Sequence, residues 1–452
     1  MAIDTSLIQD TDWLACTDGG ITYKVSGAEF KKLLKEPTTY EFTINTTNRE
    51  LNLKTQQDID EYVGQSFTID WGDGSTETLV QPTTINHRWS ANGEWNIKIT
   101  VNKGGPFSLF GAFAGDQAKW VSIDNTSSEF NWGPTLEKSW YGCNQLTSFP
   151  LIDIASNSGL SLNYAWNGCS GLTSFPDLDY SSVERMSYAW QNCTELVTWN
   201  SNATVNLPEC VSLGAAWWGC SKLTSIPSLN IPKATSLWYA FYSCQALTLI
   251  PLMDTSNITL WDGTFNNCQN LETIPALDFS SATSVTNTFT SCGVKTFDGP
   301  LEFGNVTTFE NLFIRCEELL ALPYIDTSSG INFKEMFHFC RKITTIPASL
   351  DFSKGTNFNE TFADCNALTD FPPNMFDVTG TLLGNSFSRA FAGCSLTPIS
   401  VENVLVSLDT NGQSNITLSL DGPNNSPKST WTAAANTAYD NLIAKGWTIL
   451  HS

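Results

Sequence analysis

The stretch SLWYAFYSCQALTLIPLMDTS, residues 236–256, is followed one interval later by LWDGTFNNCQNLETIPALDFS, residues 260–280, and the two align class by class. An apolar residue, an aromatic four positions on, a cysteine three further, then a short Leu-Thr run closed by proline recur in both. Eleven of the thirteen cysteines mark this register: Cys143, Cys169, Cys193, Cys220, Cys244, Cys268, Cys292, Cys316, Cys340, Cys365 and Cys394. Six of the ten intervals are 24 and none is shorter, so insertions are tolerated and deletions are not. A period of this length marks a solenoid, whose units cannot bury an apolar edge alone and share a core by stacking.

Each cysteine follows an aromatic by three residues: Trp140, Trp166, Trp190 and Trp217, then Phe241, Phe265, Phe289, Phe313, Phe337, Phe362 and Phe391. Offsets of four and three put apolar residue, aromatic and thiol on one side of a short helix, facing inward. The following LTSFP, LTSIP or ITTIP, at 146–150, 223–227 and 343–347, suits a strand ended by proline. A turn opening with aspartate comes next, at Asp153, Asp179, Asp254, Asp278, Asp326, Asp351 and Asp377, with Ser or Thr nearby to close an Asx turn or cap a helix. At about 4.8 Å per coil, a dozen coils make a rod of roughly 55 Å. AFAGD at 112–116 reads as a degenerate first coil.

The leading role for the thiols is packing as small apolar groups that weakly hydrogen-bond the neighbouring coil. Disulfides between coils and metal ligation are the alternatives, but an odd file cannot pair fully and no close cysteine pair or histidine cluster supplies a tetrahedral set. No metal and no cofactor is expected. Reduced thiols fit folding in a cytoplasm. Residues 1–10 lack a basic stretch followed by an apolar core, and no apolar run is long enough for a bilayer. A formal charge of −22, from 23 basic and 45 acidic residues, speaks against nucleic acid as a partner.

Outside the array, alternation at Tyr40, Phe42 and Ile44, a strand at 67–69 running into the WGDGS turn, and a third strand at 95–101 predict a small antiparallel sandwich. TIDWGDGS at 68–75, His87, Trp89 and NGEWNIKITV at 92–101 resemble a polycystic-kidney-disease (PKD) type, Ig-like domain, which implies a spacer or adhesion module. DTDWLACTDGGITYKVSGAEFKKLL, at 10–34, combines a strand at 21–25 with a helix from about 26 to 34. It resembles the N-terminal segments by which some bacteriophage virion proteins attach to the particle. At the far end, Trp431, Ala435, Ala438 and Leu442 form a helical stripe, Gly446 ends it, and 447–450 adds a strand, giving an end cap. The array itself resembles the bacterial-surface-protein type of leucine-rich repeat, in the branch common in mycoplasma lipoproteins. That resemblance implies adhesion to protein or glycan and no catalysis.

The expected fold is thus multidomain: attachment segment 1–36, β-sandwich 37–104, leucine-rich-repeat α/β solenoid 105–398 and α/β cap 399–452. The three histidines, His87, His338 and His451, fall in separate regions, and no catalytic motif is present. A carboxylate pair for glycoside hydrolysis and calcium on the aspartate file stay as alternatives to turn caps. The candidate binding residues lie on the outer side of the early coils: Tyr141, Tyr164, Tyr188, Trp218, Trp238, Tyr239 and Tyr242. Equivalent positions later hold Glu310, Lys334, Glu335, Glu360 and Arg389. Flat apolar faces with polar tips suit sugars and protein partners, while rings that only shield the coils would look the same. The expected role is a noncatalytic phage fibre or decoration protein on the virion, bound to other virion proteins through the N-terminal segment and to a host glycan or protein through the strip. A bacterial surface adhesin is the alternative and a polysaccharide-degrading enzyme a distant one. Membrane insertion is not expected, and homo-oligomerisation stays open because no heptad enforces it.

Overall fold

The computed structural model describes residues 13–18, 21–26, 38–46, 50–54, 66–80, 84–88, 90–91, 93–101, 120–124, 136–149, 151–152, 154–155 and 159–451. The expected helix over 27–34, the degenerate coil at 112–116 and Asp153 lie outside them.

From residue 136 to 397 the chain winds in coils, and the described residues there include no α-helix. This corrects the α/β expectation. In place of a helix, each coil makes two successive four-residue turns. In one coil, Ala165 N–H donates to the Leu162 carbonyl at 3.0 Å and Cys169 N–H to the Trp166 carbonyl at 3.1 Å. The third residue of each turn is left-handed: Tyr164 at φ 57° and Gly168 at φ 76° here, Tyr239 at 51° and Ser243 at 58° further on, Glu335 at 55° and Phe339 at 62° later. A positive φ at that place defines a type II turn and cannot occur inside an α-helix. Two consecutive turns repeat every four residues, so the apolar residue, the aromatic and the cysteine still face inward, for a reason other than the helical one.

What holds the turns is the next coil. Tyr164, Trp166 and Gly168 donate their N–H groups to Ser187, Ala189 and Gln191 carbonyls at 3.0, 2.8 and 2.7 Å. The same three bonds recur at Tyr239, Phe241 and Ser243 toward Asp262, Thr264 and Asn266. Because every coil repeats the conformation, side chains that ordinarily avoid left-handed backbone are held there by their neighbours.

The aromatics form one stacked file. From Trp140 through Trp166, Trp190 and Trp217 to Phe241, Phe265, Phe289, Phe313, Phe337, Phe362 and Phe391, adjacent ring centres stand 5.2–5.9 Å apart and within 15° of parallel. All eleven rings are buried, as are all eleven thiols beside them. The thiols are unbridged. Nine donate to the carbonyl of the aromatic one coil back, as Cys244 does to Trp217 at 3.1 Å and Cys316 to Phe289 at 2.9 Å. The packing role read from the sequence is the observed one. Burial pushes the Cys292 thiol up to about 12, and does the same to Cys210, a buried cysteine outside the file.

Cys292 is the exception in the ladder, turning to the Cys268 and Leu271 carbonyls at 3.5 and 3.8 Å. Its coil lacks one residue between the cysteine and the next inward position, Val294, where the preceding coil has Leu271 three residues after Cys268. A deletion is therefore accommodated, against the expectation. Gly293 makes it feasible, since a Cβ there would stand 2.0 Å from the Gln269 carbonyl oxygen.

The expected strands are minimal parallel pairs, such as Ser174–Phe175 on Thr198–Trp199 and Thr273–Ile274 on Thr296–Phe297. The aspartates after them close Asx turns: Asp179, Asp254, Asp278, Asp326 and Asp351 accept the N–H two residues on at 2.8–3.0 Å. Asp377 instead accepts from the Ser407 hydroxyl at 2.6 Å.

Before the array, β1 (Trp13–Asp18) pairs with β2 (Ile21–Ser26) as an antiparallel hairpin. Further strands are β3 (Thr38–Thr46), β4 (Glu50–Lys54), β5 (Ser66–Asp70), β6 (Thr76–Val80), β7 (Thr84–Arg88), β8 (Gly93–Val101) and β9 (Trp120–Asp124). An antiparallel sheet runs β6-β5-β8-β3-β9, and β4 pairs with β7 separately. Phe67 and Ile69 of β5 and Ile97 and Ile99 of β8 are buried. At the turn, His87 stacks on Trp71 at 4.3 Å and meets the Asp73 carboxylate at 3.0 Å. Gly72, at φ 75°, has no room for a Cβ beside the Asn96 carbonyl.

After the last coil come α1 (Pro398–Asn411), β10 (Thr417–Leu420), α2 (Ala433–Ala444) and β11 (Thr448–His451). The helix with Ala435, Ala438 and Leu442 buried, the left-handed Gly446 and the final strand agree with the sequence reading, whereas Trp431, though buried, stands before the Thr432 cap and outside the helix; α1 was not anticipated from it. Its signals are a Thr397 cap accepting Ser400 N–H, Pro398 at the start and Gly412 at φ 79° at the end. β10 takes the place of a further coil, its Ser419 carbonyl receiving the Phe391 N–H at 3.1 Å. β11 pairs beside it in parallel.

Candidate recognition site

The outward residues of each double turn are those two and three before the aromatic and one and two after it. The candidate tyrosines and tryptophans fall in these columns. Tyr164, Tyr188 and Tyr239 hold the left-handed place before the aromatic, Trp238 precedes Tyr239, and Tyr141, Trp218 and Tyr242 follow their aromatics.

Six of the seven join into one cluster. Tyr164 and Tyr188 stack at 4.5 Å and 4°, Tyr188 meets the edge of Trp238 at 6.1 Å, and Trp238 meets Tyr239 at 4.7 Å. Trp218 lies against Tyr239 at 5.3 Å and Tyr242 at 4.7 Å. Each of the six is half-buried. Tyr141 is 41% exposed and makes no ring contact with the others. The rings do stack on one another, yet they leave a groove.

That groove, of about 470 Å³, is lined by Trp218, Trp238, Tyr239, Tyr242, Asn266 and Asn287, within the range of roughly 300–1,000 Å³ occupied by small-molecule sites. Gly263 makes it possible. A Cβ on Gly263 would stand 2.4 Å from the Tyr239 ring, so the ring lies over bare backbone one coil away. Sequence reasoning misses Asn266 and Asn287, although they occupy the same columns in the next two coils. The signal is the switch from aromatic to amide in each of two columns, Tyr242 to Asn266 and Tyr239 to Asn287.

Burial raises the Tyr239 phenol, with the Asp262 carboxylate and Tyr242 adding to it, and burial followed by Tyr164 raises Tyr188. Both therefore stay protonated donors at neutral pH. Asp262 itself is engaged by the Ser284 hydroxyl.

The charged half of the same face is satisfied within itself. Lys334 bridges Glu310 at 3.0 Å and Glu335 at 3.2 Å, and Arg389 reaches Glu360 and Asp364 at 3.5 Å. His338, with its side chain 10% exposed, sits among Glu335, Glu360 and Asp364 at 3.5, 3.7 and 3.5 Å. Among the described residues no group of three or more His, Cys, Asp or Glu is arranged to hold a metal ion. The carboxylates after the strands are occupied as turn acceptors, which favours caps over calcium or hydrolysis.

Repeat length, inward aromatic and cysteine, and the Leu-Thr run are now placed in three dimensions. Residues 215–320 and 237–369 match the BspA type leucine rich repeat region, in six copies. The matched coils run from the Trp217 coil to the Phe362 coil and so contain Trp218, Trp238, Tyr239 and Tyr242. Tyr141, Tyr164 and Tyr188 lie in earlier coils with the same double turn. No curated protein matches the chain.

Proposed function

We propose that this protein is a noncatalytic recognition protein that presents its repeat array at a surface and attaches through the aromatic face. The BspA-type match supports a surface adhesion or protein-interaction role. The carrying observation is the open groove among Trp218, Trp238, Tyr239 and Tyr242 on a face whose other half pairs its own charges. The backbone has no need of the Tyr239 ring, because the equivalent positions hold Gly263, Asn287 and Asn311 with the same left-handed conformation. In this reading the sheet that includes β3 and β9 is a spacer, the coils from residue 136 to 397 are the recognition array, and the segment from Pro398 onward is its cap.

The test is binding to a panel of immobilised polysaccharides and cell-surface or matrix proteins. Wild type should bind at least one member. The triple variant Trp218→Ser, Trp238→Ser, Tyr242→Ser should lose that binding with an unchanged circular dichroism spectrum. Undiminished binding by the triple variant contradicts the proposal.

A second setting is a phage particle that carries the array as a fibre or decoration, with residues 1–36 attaching it to other virion proteins. The twelve unbridged thiols among the described residues favour it, since they fit folding in a reducing cytosol. Burial protects the same thiols from oxidants, so a cell-surface setting accommodates them too, and the repeat match favours the latter. Immunogold labelling of cells and of any released particles separates the two.

A further inference from the structure

We propose that the groove takes a neutral hexopyranose chain lying along the solenoid axis; this rests on the recognition role above and specifies its ligand.

Four observations converge. First, the walls are aromatic and the remaining lining is amide: Trp218, Trp238, Tyr239 and Tyr242 against Asn266 and Asn287. Flat rings pack against the C–H faces of a sugar, and an amide offers donor and acceptor together, which matches neighbouring hydroxyls that are each both. The protonated Tyr239 phenol adds a further group of that kind.

Second, the lining contains no cation and no anion. An acidic sugar would find no positive partner there and would approach a chain of formal charge −22. The array's cations stand outside this lining: Lys138 lies over the Tyr164 ring at 5.5 Å, at the N-terminal end of the strip, and Lys222, Lys233, Lys334 and Arg389 are paired with carboxylates. A protein ligand would be expected to engage such charges, and none of them lines the groove.

Third, the site is elongated. Tyr188 and the Tyr164 stack continue it toward the N-terminal coils and Asn287 toward the C-terminal ones. Five coil steps at about 4.8 Å give a strip near 24 Å, which suits a chain of sugars better than one.

Fourth, tyrosine is kept where it is unfavourable. Tyr164, Tyr188 and Tyr239 have φ of 57°, 60° and 51°, a conformation that costs an L-residue about 1–2 kcal/mol. Glycine or asparagine fills that place in the three coils after Tyr239. Lys138, Ala215, Glu335, Glu360 and Arg389 hold the same place at φ 54–58°, so the inter-coil bonds impose the conformation on every coil, and it is the choice of an aromatic there, beside the groove, that points to use of the ring.

The experiment is affinity electrophoresis of the full chain in gels containing dextran, β-glucan, mannan or galactan, with hyaluronate and polygalacturonate as acidic counterparts. At least one neutral polymer should retard wild type, little affected by raised salt. Tyr239→Asn, which the backbone accommodates as it does Asn287, should weaken that retardation at least tenfold. The double variant Asn266→Ala, Asn287→Ala should weaken it too, and Lys334→Ala should not. Retardation only by the acidic polymers, abolished by salt, overturns the inference. If none of the six polymers retards wild type while the protein half of the panel binds it and the triple variant does not, the inference falls and the recognition role stands. If neither half of the panel binds, both fall.

Discussion

Above about pH 9 the array unfolds, and it does so steeply. In the fold, burial raises the thiols of Cys143, Cys193, Cys210, Cys220, Cys244, Cys268, Cys292, Cys316, Cys340, Cys365 and Cys394. In the unfolded chain they ionise near pH 8.5. A folded pKa raised above the unfolded one leaves stability intact below pH 8.5 and removes it as pH climbs toward the folded values. With eleven thiols, each withdraws about 1.4 kcal/mol per pH unit once the unfolded form is ionised. Since a domain's whole stability is about 5–15 kcal/mol, the circular dichroism signal should collapse between about pH 9 and pH 10.5. Replacing Cys268 and Cys316 by alanine should raise that midpoint even though it removes packing at neutral pH. A fold that persists unchanged at pH 11 contradicts the burial of the file.

Phe289→Ala should cost about 3–5 kcal/mol, the range for emptying a buried phenylalanine site. The ring is fully buried, stacked 5.8 Å from Phe265 and 5.4 Å from Phe313, and edged by Phe297 at 5.3 Å. Nothing nearby can collapse into the space without breaking the stack. Because each coil contacts only its neighbours, the loss falls on one interface of a linear array. Calorimetry should show the single transition shifted down or split, with the coils before and after Phe289 melting separately. A melting curve matching wild type would place Phe289 outside the core. Tyr239→Asn, half-buried on the outer face at a place where Asn287 has the same backbone, should cost well under what Phe289→Ala does.

These two expectations depend on the inward set, and that set was legible in the sequence. Apolar residue, aromatic and cysteine at offsets of four and three lie on one side whether the segment is a helix or two turns. The backbone was not legible from those positions, because they are common to both. The distinguishing signal lay in the outward columns. Gly142, Gly168, Asn192, Gly219 and Asn267 repeat two residues after the aromatic, where a type II turn wants positive φ and a helix gains nothing. Tyr164 and Phe339 obscured it, being held left-handed by inter-coil bonds that no local propensity predicts.

The recognition face was legible in part for the same reason. Side chains in one column, such as Tyr164 and Tyr188, are neighbours by period alone. The groove needs more than the period: it arises where Tyr239 lies over Gly263 and meets the amides of later coils. Tyr141 shares a column with Trp218 and Tyr242, yet the rings between them are absent and it stands apart. At the C-terminal end, α1 escaped notice because its apolar positions follow directly on a coil and share its rhythm.

The central claim is a shared interior running lengthwise through the coils, with ring and thiol of every coil inside it. Alkylation by iodoacetamide at neutral pH, mapped by mass spectrometry cysteine by cysteine, tests it most directly. In the native protein the eleven thiols of the file should remain unlabelled and unbridged, and all eleven should label in guanidinium. Rapid native labelling of any one of them, or its recovery as a disulfide, would contradict the stacked interior.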